Sequence, residues 1–332
     1  MSSIAVIGAG SWGTALSLAL SGIGHKVTLW AYEREVVDSI RLQRENTLFF
    51  PGVRLPDAIT PTGHLAEAIS GARFVLTAMP SHVCRHLFAE MLPYLEPGMI
   101  LVSATKGLDA VGLMRMSEVI MTVTAKRFIP KLTVLSGPSF ALEVAQGDPT
   151  AVVVASDDGE AARRVQEEFS SRNLRLYTSN DVIGVELGGA VKNVIAIAAG
   201  VIEGLGLGNN PKAALITRGL AEMTRLACSC GARGETLAGL AGMGDLVLTC
   251  TGQLSRNRSV GFELGRGRQL GDIIGSMRAV AEGVKTTEAT VELARLHGIE
   301  MPITRQVYRI LRNEISPRAA IRELMERRLR DE

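Results

Sequence analysis

Gly8-Ala9-Gly10-Ser11-Trp12-Gly13 closes a short apolar run at residues 4–7 and opens a segment of helical periodicity at 13–23. A G-x-G-x-x-G turn placed between a strand and a helix lets backbone approach a ligand closely. It also presents that ligand with the free N–H groups and partial positive charge of a helix N-terminus. Standing at the head of the chain, the motif commits the residues after it to strand–helix units and a parallel sheet.

The rest of the first half keeps that pattern. Apolar runs recur at 27–30, 74–78, 100–104 and 133–136, with helical segments at 82–92 and 113–124 and further strands expected at 151–155 and 175–177. Asn180-Asp181 reads as a helix cap, and beyond it strand signals stop. Helices are expected at 182–203, 211–230, 257–266, 284–297, 304–312 and 317–330. The fold class is therefore α/β. An amino-terminal Rossmann-type doubly wound sheet with parallel strands (1–180) is expected to precede an all-helical carboxyl-terminal domain (181–332).

Of the 332 residues, 46% are apolar, enough for two cores, and the formal charge of +2 with 4% aromatics gives no reason to expect nucleic acid or an anionic membrane as partner. The start of the chain enters a strand without a basic leader, so no signal peptide is expected. Residues 191–207, the most apolar long segment, are interrupted by Lys192, Asn193 and Glu203, which argues against membrane insertion. Cys84, Cys228, Cys230 and Cys250 are scattered and suit a reducing cytoplasm. His82 and His86 stand four residues apart without a third ligand nearby, so no metal is expected.

At the cofactor end, the glycine turn is the fingerprint for a dinucleotide pyrophosphate. The second strand ends in Trp30-Ala31-Tyr32-Glu33-Arg34, with no acid at the strand end proper. Glu33 would suit the ribose hydroxyl of NADH and Arg34 the 2′-phosphate of NADPH, and the balance leans towards NADPH.

Ligands of open parallel sheets sit beyond the carboxyl ends of the strands, where Ala78-Met79-Pro80-Ser81, Thr105-Lys106-Gly107 and Gly137-Pro138-Ser139-Phe140-Ala141 fall in succession. In the helical half, Gly242-Met243-Gly244-Asp245 sets a carboxylate on a flexed turn. Leu254-Ser255-Arg256-Asn257 gathers hydroxyl, guanidinium and amide at a helix start, a combination that suits a phosphate ester, or else a capped helix with an exposed arginine. Lys192 and Asn193 lie in an apolar helix with Gly184, Gly188, Gly189 and Gly200. Such a lysine either snorkels to water or is buried, paired and functional.

Together the segments GAGSWGTAL (8–16), SATKGL (103–108), SGPSFALEV (136–144), ELGGAVKNVIAIAAGVIEGLGLGNN (186–210), AALITRGLAEM (213–223), GLAGMGDLVLTC (239–250), SRN (255–257) and VAEGVKT (280–286) resemble soluble NAD(P)-dependent glycerol-3-phosphate dehydrogenase over nearly the whole chain. The resemblance implies interconversion of dihydroxyacetone phosphate and sn-glycerol 3-phosphate with NADPH or NADH, a supply for phospholipid synthesis, and a homodimer. Carried onto matching positions, Lys192 is the acid/base, with Lys106 and Asp245 beside it. Substrate contacts fall on Lys106, Gly137, Ser139, Lys192, Asn193, Asp245, Ser255, Arg256 and Asn257. Cofactor contacts fall on Ser11, Trp12, Tyr32, Lys106, Ala141, Arg256, Val280 and Glu282, to which the residue reading adds Gly8, Gly10, Gly13 and Arg34. Tyr32 departs from the basic residue or histidine of many relatives. Two other readings remain at this point: a different two-domain hydroxyacid or sugar-phosphate dehydrogenase, and a non-catalytic dinucleotide sensor.

Overall fold

The computed structural model of the chain describes residues 1–277 and 281–328. Strands β1 (Ser3–Ile7), β2 (Lys26–Trp30), β3 (Glu45–Asn46), β4 (Phe50–Arg54), β5 (Ile59–Thr62), β6 (Phe74–Thr77), β7 (Ile100–Ser103), β8 (Lys131–Ser136), β9 (Thr150–Ala155) and β10 (Leu174–Ser179) make up the first half. Between them run α1 (Ser11–Gly22), α2 (Arg34–Gln43), α3 (Leu65–Ile69), α4 (Cys84–Met91), α5 (Met116–Thr124), α6 (Ala141–Gln146) and α7 (Gly159–Phe169). Eight strands form one sheet in the order β10-β9-β8-β7-β6-β1-β2-β5, and β3 pairs with β4 separately. Strands β6 and β7 are buried at every position, as expected when helices cover both faces of a sheet.

The chain reverses its direction of travel between β1, which leads out to β2 and β5, and β6, which leads to β7 and β8. Their carboxyl ends form the switch-point crevice in which α/β proteins hold ligands.

The sheet departs from expectation in one respect, since it is not parallel throughout. Strands β8 and β9 are antiparallel, with Val134 opposite Ala155 and Ser136 opposite Val153, while β10 runs parallel to β9. A parallel connection must carry the chain back across the sheet's length. The β8–β9 link instead contains only the six-residue α6, which packs on α1 at the carboxyl edge, so the chain re-enters the sheet from the edge it has just left.

After Ser179 the described residues contain only helices: α8 (Val182–Gly204), α9 (Asn209–Ser229), α10 (Gly234–Ala238), α11 (Asp245–Thr251), α12 (Arg256–Gly265), α13 (Leu270–Gly275), α14 (Glu282–Leu296), α15 (Pro302–Leu311) and α16 (Pro317–Met325). The segment Leu240–Gly244 runs as a π-turn straight into α11. Asp181 caps α8 as its sequence suggests, accepting from the Gly184 N–H at 2.9 Å, and its other oxygen accepts from the Arg233 N–H at 2.9 Å. α8 is the axis of this half, buried from Gly184 to Ile202. It is the one helix among the described residues long and apolar enough to cross a membrane, and 94% of its apolar window is buried inside the protein. The four cysteines are free thiols.

α12 lies against α8 at backbone distance. A Cβ on Gly261 would stand 1.9 Å from the Ile197 carbonyl oxygen, and one on Gly200 1.9 Å from that of Arg258. No rotamer change relieves a clash with main chain. Gly261→Ala is therefore expected to force the two helices apart and cost about 2–3 kcal/mol or more, at the upper end of overpacking penalties. Urea unfolding of the variant checks this, and a cost below about 1 kcal/mol would show that the seam yields.

Candidate active site

Two adjacent glycines place α8 between the halves of the molecule. A Cβ on Gly188 would meet the Ala241 carbonyl oxygen at 2.5 Å, and one on Gly189 the Ser136 hydroxyl at 2.5 Å. The helix can thus lie on the π-turn with one face and on the carboxyl end of β8 with another. One turn further on, Lys192 projects from the same side.

Lys192 is 6% exposed, which settles the choice between snorkelling and burial. Its ammonium donates to Asp245 Oδ1 and, at 2.9 Å, to Thr249 Oγ1. Lys106, carried by the loop after β7, donates to Asp245 Oδ2 at 2.8 Å and to the Gly137 carbonyl at 3.3 Å. One carboxylate, itself 1% exposed, is thus shared by two ammonium groups arriving from opposite halves of the chain. Burial drives the Lys192 pKa down from 10.5 to about 7. Asp245 opposes that fall and Lys106 adds to it. Thr249 escaped sequence reasoning, although it lies four residues after Asp245 and therefore on the same face of α11.

Around this centre the other expected residues divide into two sets. Ser139 donates to the Gly137 carbonyl at 3.1 Å, closing the loop after β8. Arg256 opens α12; it is solvent-accessible yet ringed by protein, whose burial lowers its pKa while Glu282 opposes the shift. Ser255 and Asn257, expected to face substrate, are already engaged. The Ser255 hydroxyl accepts from the Arg258 N–H at 3.2 Å as the α12 cap. The Asn257 amide donates to Asn193 Oδ1 at 2.8 Å and accepts from the Gly283 N–H at 2.9 Å, tying α12 to α8 and α14. The Asn193 NH2 group donates over a long 3.4 Å contact to the Gly189 carbonyl.

The dinucleotide cradle is built as the motif requires. Gly8 has φ of +113°, and a Cβ there would strike the Ala78 carbonyl oxygen at 2.7 Å, so the loops after β1 and β6 touch. A Cβ on Gly10 would meet nothing within 4 Å, leaving open space beside the α1 N-terminus, which carries no side-chain cap. The Trp12 indole N–H is buried with no partner. Free amides, open space and an orphaned donor fit a pyrophosphate group. Ser11 donates to the Phe49 carbonyl at 2.8 Å, and this bond holds the β3–β4 hairpin against the cradle.

Farther out, Tyr32 is 83% exposed and the Arg34 side chain reaches Asp38 at 3.7 Å. A cleft of about 570 Å³ beyond β2 is lined by Trp30, Tyr32, His64, Leu65 and Tyr94 among others, and none of its lining residues belongs to the lysine–aspartate cluster. Ala141 begins α6. Glu282, at the start of α14, accepts from the Ser81 hydroxyl at 2.7 Å and the Ser81 N–H at 3.3 Å, bridging the loop after β6 to the helical half. Val280, expected to touch cofactor, lies outside the described residues.

A phosphate cradle at a sheet's switch point, opening onto a buried lysine tuned towards neutrality, is the build of a nicotinamide-dependent dehydrogenase. Known sequences carry the assignment further. The family model for the NAD-dependent glycerol-3-phosphate dehydrogenase N-terminus matches residues 3–162, and that for the C-terminus matches 181–322. Glycerol-3-phosphate dehydrogenase [NAD(P)+] of Koribacter versatilis is 60% identical, covering 98% of each chain. The Geobacter sulfurreducens protein of that name is 55% identical over 99% of this chain and 98% of its own. The crystal structure of glycerol-3-phosphate dehydrogenase from Coxiella burnetii superposes with a TM-score of 0.93 at 41% identity, over 98% of this chain and 99% of that one. The chain belongs to the NAD-dependent glycerol-3-phosphate dehydrogenase family, and it is an NAD(P)-dependent oxidoreductase of that type.

Proposed function

We propose that Lys192, Lys106, Asp245 and Arg256 divide the labour of interconverting dihydroxyacetone phosphate and sn-glycerol 3-phosphate, the reaction that family membership gives this chain. The carrying observation is the buried Lys192–Asp245 pair, joined by the half-buried Lys106, at the mouth of the dinucleotide crevice. When bound, the reduced nicotinamide group supplies the hydride. Hydride addition to the ketone carbon sends the carbonyl electron pair onto oxygen, and that oxygen takes a proton from the Lys192 ammonium, leaving a neutral amine and the alcohol. An ammonium has three donors. Asp245 and Thr249 take two on Lys192 and leave the third for the substrate oxygen. Lys106, with Asp245 and Gly137 as partners, likewise keeps one donor. Arg256 takes the substrate phosphate, with the free O–H of Ser255 and the Ser139 loop beside it.

The cradle of Gly8, Gly10, Ser11, Trp12 and Gly13 holds the pyrophosphate, and Arg34, the first residue of α2 just beyond β2, faces a 2′-phosphate, so NADPH is preferred to NADH. The exposed Arg34 side chain, weakly held by Asp38, supports this. The same reading divides the chain at 180/181, where strands give way to helices. Family resemblance further supports phospholipid precursor supply and a homodimer, for which sedimentation should give twice the chain mass. Free thiols fit a cytoplasmic location.

Ketone reduction needs the ammonium form of Lys192 and alcohol oxidation the neutral amine. With its pKa held at about 7, reduction should slow as pH rises through that value while oxidation quickens. Lys192→Ala should retain cofactor affinity and lose on the order of 10²–10⁴ in turnover. Lys192→Arg should restore little, because guanidinium keeps its proton. If arginine restores most of the turnover, Lys192 acts only through its charge.

Arg256→Ala should cost about 2–5 kcal/mol in kcat/KM for dihydroxyacetone phosphate, and far less for unphosphorylated dihydroxyacetone. Equal losses on the two ketones would remove Arg256 from the phosphate site.

Arg34→Glu should move the NADPH/NADH ratio of kcat/KM towards NADH by about 10-fold, or about 1.4 kcal/mol. An unchanged ratio would exclude Arg34 from cofactor choice.

A further inference from the structure

Arg258 is nearly buried and makes no contact with the lysine–aspartate cluster, yet it holds the turn that presents Arg256. Its Nε–H donates to the Gly252 carbonyl at 2.9 Å, and its Nη1 donates to both carboxylate oxygens of Glu203 at 2.7 Å each. Its backbone N–H is the group that the Ser255 hydroxyl caps. Glu203 stands on the last turn of α8, braced from α9 by Lys212 at 3.2 Å. One guanidinium thus bonds the start of the Gly252–Asn257 turn and the end of α8, the helix that carries Lys192.

The arrangement has a geometrical reason. α8 and α12 run in the same direction over a seam of main chain, since Gly200 abuts Arg258, Gly261 abuts Ile197, and Gly265 abuts Val201. A smooth seam of glycines permits close approach but offers few side-chain knobs against sliding. Sliding would change the distance between Lys192, midway along α8, and Arg256, the first residue of α12. Two polar bridges stop it. From the first turn of α12, Asn257 reaches Asn193 beside Lys192 and Arg258 reaches Glu203 at the end of α8.

We infer that Arg258 and Glu203 are positioning residues for substrate phosphate recognition: their ion pair fixes the register of α12 on α8, and hence the separation of the Arg256 guanidinium from the Lys192 ammonium. This rests on the role proposed for Arg256. Neither residue touches the substrate. Removing either lets the turn drift and misplaces the phosphate-binding group while the proton donor and the cofactor cradle stay in place.

The test uses the full-length protein with saturating NADPH, comparing dihydroxyacetone phosphate with unphosphorylated dihydroxyacetone. Arg258→Met and Glu203→Gln should each raise KM for the phosphorylated ketone about 10- to 100-fold, the scale for a misplaced binding group, with kcat changed about 3-fold or less. The loss on the unphosphorylated ketone should be at least about fivefold smaller than on the phosphorylated one. Arg258→Lys, which keeps a charge for Glu203 but loses the Nε–H bond to Gly252, should fall between parent and Arg258→Met, and it serves if the methionine variant does not fold. Adding Arg258→Met to Arg256→Ala should cost little beyond Arg256→Ala alone, since both act through one contact. Equal losses on the two ketones from the Arg258 and Glu203 variants, or full additivity with Arg256→Ala, would overturn the clamp and leave a purely structural pair. If Arg256→Ala alone fails to distinguish the ketones, it is the phosphate role of Arg256 that has failed.

Discussion

An ammonium on the middle turn of a buried helix must find an anion or lose its proton, and in this protein both pressures act on Lys192. Asp245 reaches it from α11 and is in turn held by Lys106 from the carboxyl end of β7. The shared carboxylate joins the sheet's edge to the helical half, so the placing of α8 against β8 through Gly189 and against the π-turn through Gly188 is a precondition of the proposed chemistry. Each glycine inside a helix costs about 1 kcal/mol relative to alanine. The apolar side chains of α8, at about 1.5–3 kcal/mol for each one buried, offset that cost easily.

Much of this architecture is legible in the residues. The Gly8–Gly13 turn, the long strand and helix runs, the Asp181 cap and the change to helices after it all obey local rules that depend on neighbours in sequence. The features that escape depend on partners distant in sequence. The antiparallel entry of β9 comes from the way α6 packs on α1, which no periodicity in residues 137–150 reveals. The β3–β4 hairpin and β5 are too short and too polar to signal themselves, yet the hairpin is bonded to the cradle through Ser11 and Asn46. The last helical pattern, 317–330, extends past Met325, where the helix in fact ends.

Within the site, residue types announce chemistry but not allegiance. Lys106, Lys192 and Asp245 each carry a functional signal in the sequence, and the structure brings them together. Ser255 and Asn257 look like phosphate ligands in the sequence, but much of their bonding capacity serves the turn itself, while the neighbouring Arg258 carries the architecture. A helix start rich in donors can serve a ligand or its own backbone, and only the partners decide which.

Two ammonium groups on one carboxylate also give the site an electrical history over a catalytic cycle. Before reaction the cluster carries a surplus positive charge facing the crevice, which draws in an anionic substrate and weakens with ionic strength. On the proposed chemistry, the proton that Lys192 gives up takes that surplus with it. The product phosphate then leaves a neutral cluster, and the attraction that captured the ketone returns only when solvent recharges the lysine. On that chemistry, the cluster's own pull on the phosphate is weakest just after the proton has moved.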